Sequence, residues 1–178
     1  KGYSLAARVR DNFISEKQLA SPEIMFSVRF LRPNLTHSMD LYYGAWAVLD
    51  PTRNMVDAFE CTDGKPWGES PLTVRPDESI LYGNDDALKK AERAKMFMNR
   101  DRRLYESVNH SMMANFVDDG FKDEEVQVNE SNNKGPTGFS ALKYVQPTDV
   151  TPGYSTVSDA DIVVLRYAHV LLMIAEGE

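Results

Sequence analysis

Three aromatic side chains stand close together in a stretch without helical or strand periodicity: Tyr42, Tyr43 and Trp46, around Gly44. Flat aromatic faces stack on the C–H patches of sugar rings, while nearby amide, carboxylate and guanidinium groups hold the sugar hydroxyls. Ordinary packing is the alternative interpretation, since most tyrosines and tryptophans are partly buried. Aromatics in a loop are harder to explain as core than aromatics at regular spacing. We therefore predict that Tyr42, Tyr43 and Trp46 bind a ligand.

Sequence motifs for catalysis and for metal binding are missing. There is no Gly-x-Ser-x-Gly elbow, no His-Glu-x-x-His, no phosphate loop and no Gly-x-Gly-x-x-Gly. The acidic runs lack the spaced ligands and central glycine of a calcium loop, and Cys61 is the only cysteine. His169 lies in an apolar run, where a packed, hydrogen-bonded imidazole is expected. We expect no catalytic residues, no metal and no cofactor, in a protein that is not an enzyme.

Composition limits the class of partner. Hydrophobic residues make up 42% of the 178 residues and charged residues 26%, which is enough for one domain with a sizeable core. The formal net charge is −7, and phosphate neutralisation needs concentrated Lys and Arg. The largest basic cluster is Arg100, Arg102 and Arg103, which is small. A nucleic-acid partner is therefore not expected.

Local patterns predict a mainly α-helical chain with a few short strands and long ordered loops. Residues 23–31 alternate partly and are rich in β-formers, which predicts a strand. A short helix is predicted from Pro51 with Asp50 as its N-cap, a turn at residues 63–66, and helix within residues 85–108. Further strands are predicted at residues 125–138 and 139–145, and loops at residues 34–50 and 67–83.

Residues 159–176 read as one helix that is apolar on every side, with Ser158 as its N-cap. Only Arg166 and His169 interrupt the apolar run, whereas a helix facing water shows a polar stripe. Leaving half of its large apolar side chains in water would forgo roughly 7–15 kcal/mol, as much as the net stability of a domain. We expect the helix to be covered by polypeptide beyond this chain or by a partner. A membrane span is less favoured, because the run is short and contains Arg166.

Four segments together resemble one protein family: residues 23–30, 51–66, 99–108 and 165–176. In this order and spacing they are similar to the C-terminal half of SusD/RagB-type proteins, the surface nutrient-binding lipoproteins of Bacteroidetes. The resemblance spans nearly the whole chain. The sequence departs from the family pattern at Arg102, where proline is usual, and at His169, where glutamate is usual.

The resemblance implies a SusD-like α-helical, tetratricopeptide-like superhelical fold. Family members capture glycans or peptides and pass them to a TonB-dependent outer-membrane transporter of the SusC type. A lipidated N-terminal cysteine holds them at the extracellular face of the outer membrane, and this chain has none, so we expect the anchor to lie outside it. Residues 1–178 would be a partial C-terminal domain, with a loop-rich ligand-binding part at residues 1–158 and the start of a tetratricopeptide-like helix pair at residues 159–178.

The resemblance also places the site. Family ligand contacts commonly arise between the counterparts of residues 23–30 and 51–60, and the aromatic residues at positions 42, 43 and 46 lie between these segments. Trp67, just beyond the predicted turn, is added as a fourth ligand-binding candidate. Residues 99–101 are expected to be structural, because an Asn cap and its neighbouring charges suit the loop before a helix.

The sequence is compatible with two functions from different classes. The favoured one is a surface glycan-binding protein that delivers oligosaccharides to a SusC-like transporter. The alternative is an interaction scaffold that contacts the transporter, with little direct ligand binding in this half. A glycan-cleaving enzyme would need two particular carboxylates among the 27 acidic residues, and nothing singles out such a pair.

Overall fold

The part of the chain that the structure describes is mainly helical, with one short two-stranded sheet. The computed structural model describes residues 2–45, 49–81, 86–108, 139, 141–146 and 157–178. Its elements are a 3-10 helix at Val9–Phe13, α1 at Ser15–Gln18, β1 at Ile24–Val28, a π-helix at Leu41–Ala45, α2 at Arg53–Ala58, α3 at Glu78–Leu81, α4 at Asp86–Met96, α5 at Arg102–Ser107, β2 at Ile162–Arg166 and α6 at Tyr167–Gly177. The predicted class of helices with short strands is confirmed.

The two strands pair antiparallel. Ile24 lies opposite Arg166 and Val28 lies opposite Ile162, with irregular pairing between these ends. Both strands are rich in β-branched and aromatic residues, which fit a pleated surface. The strand predicted within residues 23–31 is confirmed in a shorter form.

The single helix predicted at residues 159–176 is wrong in its first part. Ile162–Arg166 is strand β2, and the helix begins only at Tyr167. Ser158 caps no helix; its backbone exchanges two hydrogen bonds of 2.9 Å with His37. The physical reason is that β2 opens with three β-branched residues, which are stiff at χ1 and disfavour helix. Pairing with β1 satisfies their backbone groups instead.

Asp161 fixes the entry into β2. Its carboxylate accepts the Phe30 N–H at 3.0 Å and the Ser27 hydroxyl at 3.2 Å, and it pairs with Arg29 at 2.9 Å. Its own N–H donates to the Gln18 side chain at 2.6 Å. These contacts tie β1, α1 and β2 together around one buried acid.

Helix α6 has Arg166 as its N-cap residue. The Nδ1 atom of His169 accepts the backbone N–H of Arg166 at 3.1 Å, in the place where the glutamate of a capping box accepts. The expected hydrogen-bonded imidazole at His169 is therefore confirmed. No residue of α6 is buried, and Leu172, Met173 and Ile174 are 66%, 56% and 55% exposed.

Replacing His169 by alanine is expected to lower the free energy of unfolding by about 1 kcal/mol, since loss of a helix-capping contact costs about 0.5–2 kcal/mol. Glutamate at this position supplies an acceptor of similar reach, so His169→Glu should keep most of the stability. Urea denaturation of the three proteins measures the difference. Equal losses for alanine and glutamate would contradict a capping role.

The main hydrophobic core lies where α2, α4 and α5 meet, around Val56, Met96 and Leu104. Thr52, rather than Asp50, caps α2, because its Oγ1 accepts the Met55 N–H at 3.2 Å. The helix predicted to start at Pro51 therefore starts at Arg53. Asp50 therefore does not cap this helix.

The loop between α4 and α5 is structural, as predicted for residues 99–101. Asp101 caps α5 by accepting the Arg103 N–H at 2.7 Å. Asn99 has a φ of 56°, which asparagine tolerates better than most residues, and its side chain donates to the Leu72 carbonyl at 3.0 Å. The helical prediction for residues 85–108 is confirmed by α4 and α5.

Of the other local predictions, some are confirmed and some are wrong. The turn at residues 63–66 is confirmed, with Gly64 at a φ of 76° and its N–H bonded to the Cys61 carbonyl at 2.9 Å. The strand predicted at residues 139–145 is wrong for its described residues, where Ala141 makes one isolated bridge to Val108 and a turn follows. The π-helix replaces part of the loop predicted at residues 34–50. The strand predicted at residues 125–138 lies outside the described residues.

Candidate functional site

A cavity of about 510 Å³ opens beside the core, between the segment that leads into α2, the side of α5 and the end of β2. Its size falls within the range of small-molecule sites. Its lining is Val9, Tyr43, Leu49, Asp50, Pro51, Met55, Phe59, Arg103, Ser107, Ala141, Lys143 and Arg166. An apolar floor with a few polar groups at its walls can hold the C–H face of a ring and the hydroxyls at its edge.

Asp50 is the polar group at the entry to α2. Both of its carboxylate oxygens are shielded from solvent and have no hydrogen-bond partner. Burial of the charged form raises the pKa of Asp50 to about 6. A buried acceptor without a partner is costly to maintain, so Asp50 is the natural place for a donor from a bound molecule.

Lys143 is the second polar group, in the turn that follows Ala141. Its ammonium lies 4.6 Å from the centroid of the Phe13 ring, a cation–π distance. Desolvation, followed by repulsion from Arg166, lowers the pKa of Lys143 below its ordinary value. No carboxylate is seen to pair with it within the described part of the chain.

The two arginines of the cavity already have carboxylate partners. Arg103 holds Asp101 with two nitrogens, at 3.0 and 2.7 Å. Arg166 pairs with the buried Glu23 at 2.9 Å, and Glu23 also accepts from the Asn12 amide at 2.9 Å. Their positions are therefore fixed by ion pairs, and they line the cavity as anchored cations.

The predicted site residues fall in different places. Tyr43 lines the cavity and packs against the buried cluster of Phe13, Tyr144 and Ala160. Tyr42 precedes it in the π-helix, is 40% exposed and is not among the cavity residues. Trp46 lies outside the described residues. The structure thus brings only Tyr43 of the set to this cavity, and the ligand-binding roles stay predictions.

Trp67 is not among the cavity residues. It directly follows the 63–66 turn and is buried. It is 5% exposed, and the guanidinium carbons of Arg53, Arg75 and Arg100 lie 5.6, 5.4 and 5.3 Å from its ring centroid. Cations cover the ring faces that a sugar would stack on. These contacts favour a packing role for Trp67 over a ligand-binding role.

Sequence reasoning missed the charged residues of the cavity. Asp50 was assigned to a helix cap, a role that Thr52 fills. Lys143 was placed in a strand that does not form, and Arg166 was read as an interruption of an apolar helix. Their common signal was a charge inside an apolar stretch, which often marks a functional group. Across the described ranges, no cluster of three metal-binding side chains occurs.

None of the helices that the structure describes combines the length and apolar character needed to span a membrane.

Comparison with known proteins gives one consistent family. The model of the SusD family matches residues 21–178. No curated protein matches the sequence. The chain resembles the crystal structure of a SusD-like carbohydrate binding protein from Bacteroides fragilis, with a TM-score of 0.65 and 19% identity, over 98% of this chain and 33% of that one. A second SusD-like protein from the same species gives a TM-score of 0.48 and 23% identity, over 98% of this chain and 36% of that one. The chain thus spans about a third of these proteins.

Proposed function

This chain belongs to the SusD family, and from that membership we propose that it binds glycans at the cell surface and delivers them to a SusC-like TonB-dependent transporter. The cargo is bound and released without any bond being broken. The observation that carries the proposal is the family match over residues 21–178, together with a cavity whose lining suits a sugar ring. The first similar structure is itself described as a carbohydrate binding protein.

The proposed binding surface combines the cavity with the aromatic residues beside it. Tyr43 offers a half-buried ring at the cavity wall, and Tyr42 offers an exposed ring next to it. Met55 and Phe59 add apolar surface to the lining. Trp46 is included because of its position in the sequence. Trp67 is the weakest candidate, because three arginines lie over its ring.

We also propose that residues 1–158 form the ligand-binding part and that α6 begins a tetratricopeptide-like helix pair in a superhelical fold. The support is the exposed apolar surface of α6, since a helix in a repeat scaffold buries such a surface against its neighbour. In the full-length protein a lipid anchor would hold this assembly at the extracellular face of the outer membrane.

The interaction-scaffold alternative has one observation in its favour. Phe26 and Val28 of β1 and Val164 of β2 are large apolar side chains that are about half exposed, and exposed apolar patches mark interaction surfaces. Recovery of a SusC-like transporter with the protein, abolished by Phe26→Ser while glycan affinity is unchanged, would assign this face to the transporter. It would also leave the glycan site in place.

Removing the aromatic rings tests the glycan function. In the full-length protein, Tyr43→Ala should weaken binding of the cognate glycan by about 5- to 150-fold, since a buried aromatic contact contributes about 1–3 kcal/mol. A glycan microarray identifies the ligand, and calorimetry measures the affinities of Tyr43→Ala, Tyr42→Ala and Trp46→Ala. Tyr3→Ala is the matched control, because Tyr3 is an exposed tyrosine that is not among the cavity residues.

Two outcomes would contradict this proposal. Unchanged affinity in the Tyr42/Tyr43 double variant would place the glycan elsewhere. No glycan bound by the full-length protein, with transport of nutrients unaffected by its removal, would overturn the function itself. Catalytic conversion of an oligosaccharide would replace binding by enzymatic function.

A further inference from the structure

The charged groups of the cavity are unequally matched. Of its described lining residues three are cationic and one is acidic, although the whole chain is acidic, with a net charge of −7. Arg103 and Arg166 are satisfied by Asp101 and Glu23. Among the residues that the structure describes, Lys143 and Asp50 are the two charged lining groups for which no ion pair or hydrogen bond is seen.

The environment of Lys143 favours an anion over a neutral acceptor. Within the described ranges its ammonium lies against the Phe13 ring, and the Arg166 guanidinium lies over the same ring, 5.4 Å from its centroid. Two cations beside one aromatic ring repel each other in a partly dry site, and this repulsion contributes to the lowered pKa of Lys143. A carboxylate beside Lys143 would offset both the repulsion and the desolvation of the ammonium.

Asp50 sets a second requirement. Its two buried oxygens accept no hydrogen bond, so a ligand must bring hydroxyl donors to them. Uronic acids combine hydroxyls and one carboxylate on a single ring, and the apolar lining residues Met55 and Phe59 can support the ring's C–H face. A neutral sugar would serve Asp50 and leave the ammonium of Lys143 without a counter-charge.

Resting on the glycan-binding function proposed above, we infer that this cavity selects a glycan that carries uronic acid, with the carboxylate held by Lys143 and ring hydroxyls held by Asp50. Arg103 and Arg166 add a positive field from fixed positions. The specificity thus comes from residues that the aromatic pattern did not include.

Pairs of oligosaccharides that differ only at the carboxylate test this inference. Oligomers of galacturonate, glucuronate and mannuronate are each compared with their carboxyl-reduced counterparts, by calorimetry on the full-length protein. At least one acidic member should bind about 10- to 100-fold more tightly than its reduced counterpart, the range expected for a hydrogen bond between charged groups.

Variants of Lys143 connect the preference to the cavity. Lys143→Gln should remove the 10- to 100-fold preference, while affinity for the reduced member changes little. Lys143→Arg should retain the preference, which separates a lost charge from a damaged fold. Lys65→Gln is the control, because Lys65 is exposed and lies on the 63–66 turn.

The outcomes separate this inference from the function beneath it. Equal or tighter binding of the reduced members overturns uronate selection and leaves glycan binding standing. An acidic preference that is undiminished in Lys143→Gln overturns the assignment of the carboxylate to Lys143. If no member of any pair binds and no glycan binds on a microarray, the glycan function and the inference fall together.

Discussion

Replacing Arg100 by methionine is expected to lower the free energy of unfolding by about 3–5 kcal/mol, the range for breaking a buried, hydrogen-bonded charge site. Arg100 is 1% exposed. Its guanidinium donates to the Met96 carbonyl at 2.6 Å, the Val56 carbonyl at 2.6 Å and the Phe59 carbonyl at 2.7 Å. These carbonyls lie at the C-terminal ends of α4 and α2, where helices leave acceptors without partners.

Methionine fills much of the same volume but donates no hydrogen bond, so it isolates the loss of donors from the loss of packing. The carbonyls would lose these donors, at a cost of about 1–3 kcal/mol for each one left unpaired where water cannot enter, although the Val56 carbonyl would keep the Phe59 N–H at 3.4 Å. A cation at the negative ends of two helix dipoles would also be lost. In thermal denaturation of the chain, the midpoint should fall by roughly 6–20 °C for a domain of this size.

Arg75→Met is the matched control. Arg75 lies over the same Trp67 ring, at 5.4 Å, but it is exposed and donates to the Gly68 carbonyl at 3.1 Å. We expect a loss of less than about 1 kcal/mol, as for other surface groups. Arg100→Lys keeps the charge with fewer donors and should fall between the two. Similar losses in the two methionine variants would show that Arg100 is not a special stabilising residue.

Arg100 also illustrates what sequence can and cannot reveal. The Asn-Arg-Asp pattern before α5 predicted a structural loop, because asparagine and aspartate favour caps and turns, and Asn99 and Asp101 take such roles. That the arginine between them turns inward depends on carbonyls more than 40 positions away in the chain. Such contacts are set by the tertiary fold and leave no local pattern.

The segment 159–176 was mispredicted for a different reason. An all-apolar run is compatible with a helix or with a strand when both faces are covered, and periodicity alone does not separate them. The β-branched opening of the run was the available signal. The deciding term is the pairing with β1, a partner more than 130 positions earlier. The helical part, where β-branched residues are sparse, was predicted correctly.

The candidate site divides in the same way. Tyr43 was found from its residue type and loop context, and it lines the cavity. Asp50 and Lys143 were not found, since they are 93 positions apart and only the fold brings both to one cavity. The resemblance over nearly the whole chain was sufficient to predict the family. Which charged residues of the cavity form ion pairs depends on the tertiary structure and could not be predicted from the sequence.

Asp40 is a buried acid outside the cavity with an expected effect on stability. It is 0% exposed; Oδ1 accepts the Gln146 N–H at 3.0 Å, and Oδ2 has no partner. Desolvation raises the pKa of Asp40 from 3.8 to about 7, against smaller opposing effects of the Gln146 hydrogen bond and the charges of Arg32 and Arg10. Folding therefore favours the protonated form.

The sign of the pH dependence follows from this difference. Between pH 4 and pH 7 the folded state holds a proton on Asp40 that the unfolded state has released, so the free energy of unfolding falls as pH rises through this window. At about 1.4 kcal/mol per pKa unit, the full loss attributable to Asp40 is about 4 kcal/mol as an upper value. Below pH 4 and above pH 8 this residue should contribute no slope.

The variant Asp40→Asn should remove this slope, because asparagine stays neutral while its carbonyl oxygen can still accept the Gln146 N–H. It should be about 1–3 kcal/mol less stable than the original protein near pH 4, because the amide nitrogen adds an unpaired donor, and about 1–3 kcal/mol more stable at pH 8, where the original protein has lost up to about 4 kcal/mol. Urea denaturation from pH 4 to pH 8 measures both curves.

Asp63→Asn is the control. Hydrogen bonding to Ser70 and Lys65 outweighs desolvation and lowers the pKa of exposed Asp63, so the contribution of Asp63 to stability is lost only below pH 4. Parallel curves for Asp40→Asn and the original protein between pH 4 and pH 8 would mean that Asp40 remains ionised inside the fold, with Arg10 and Arg32 neutralising it.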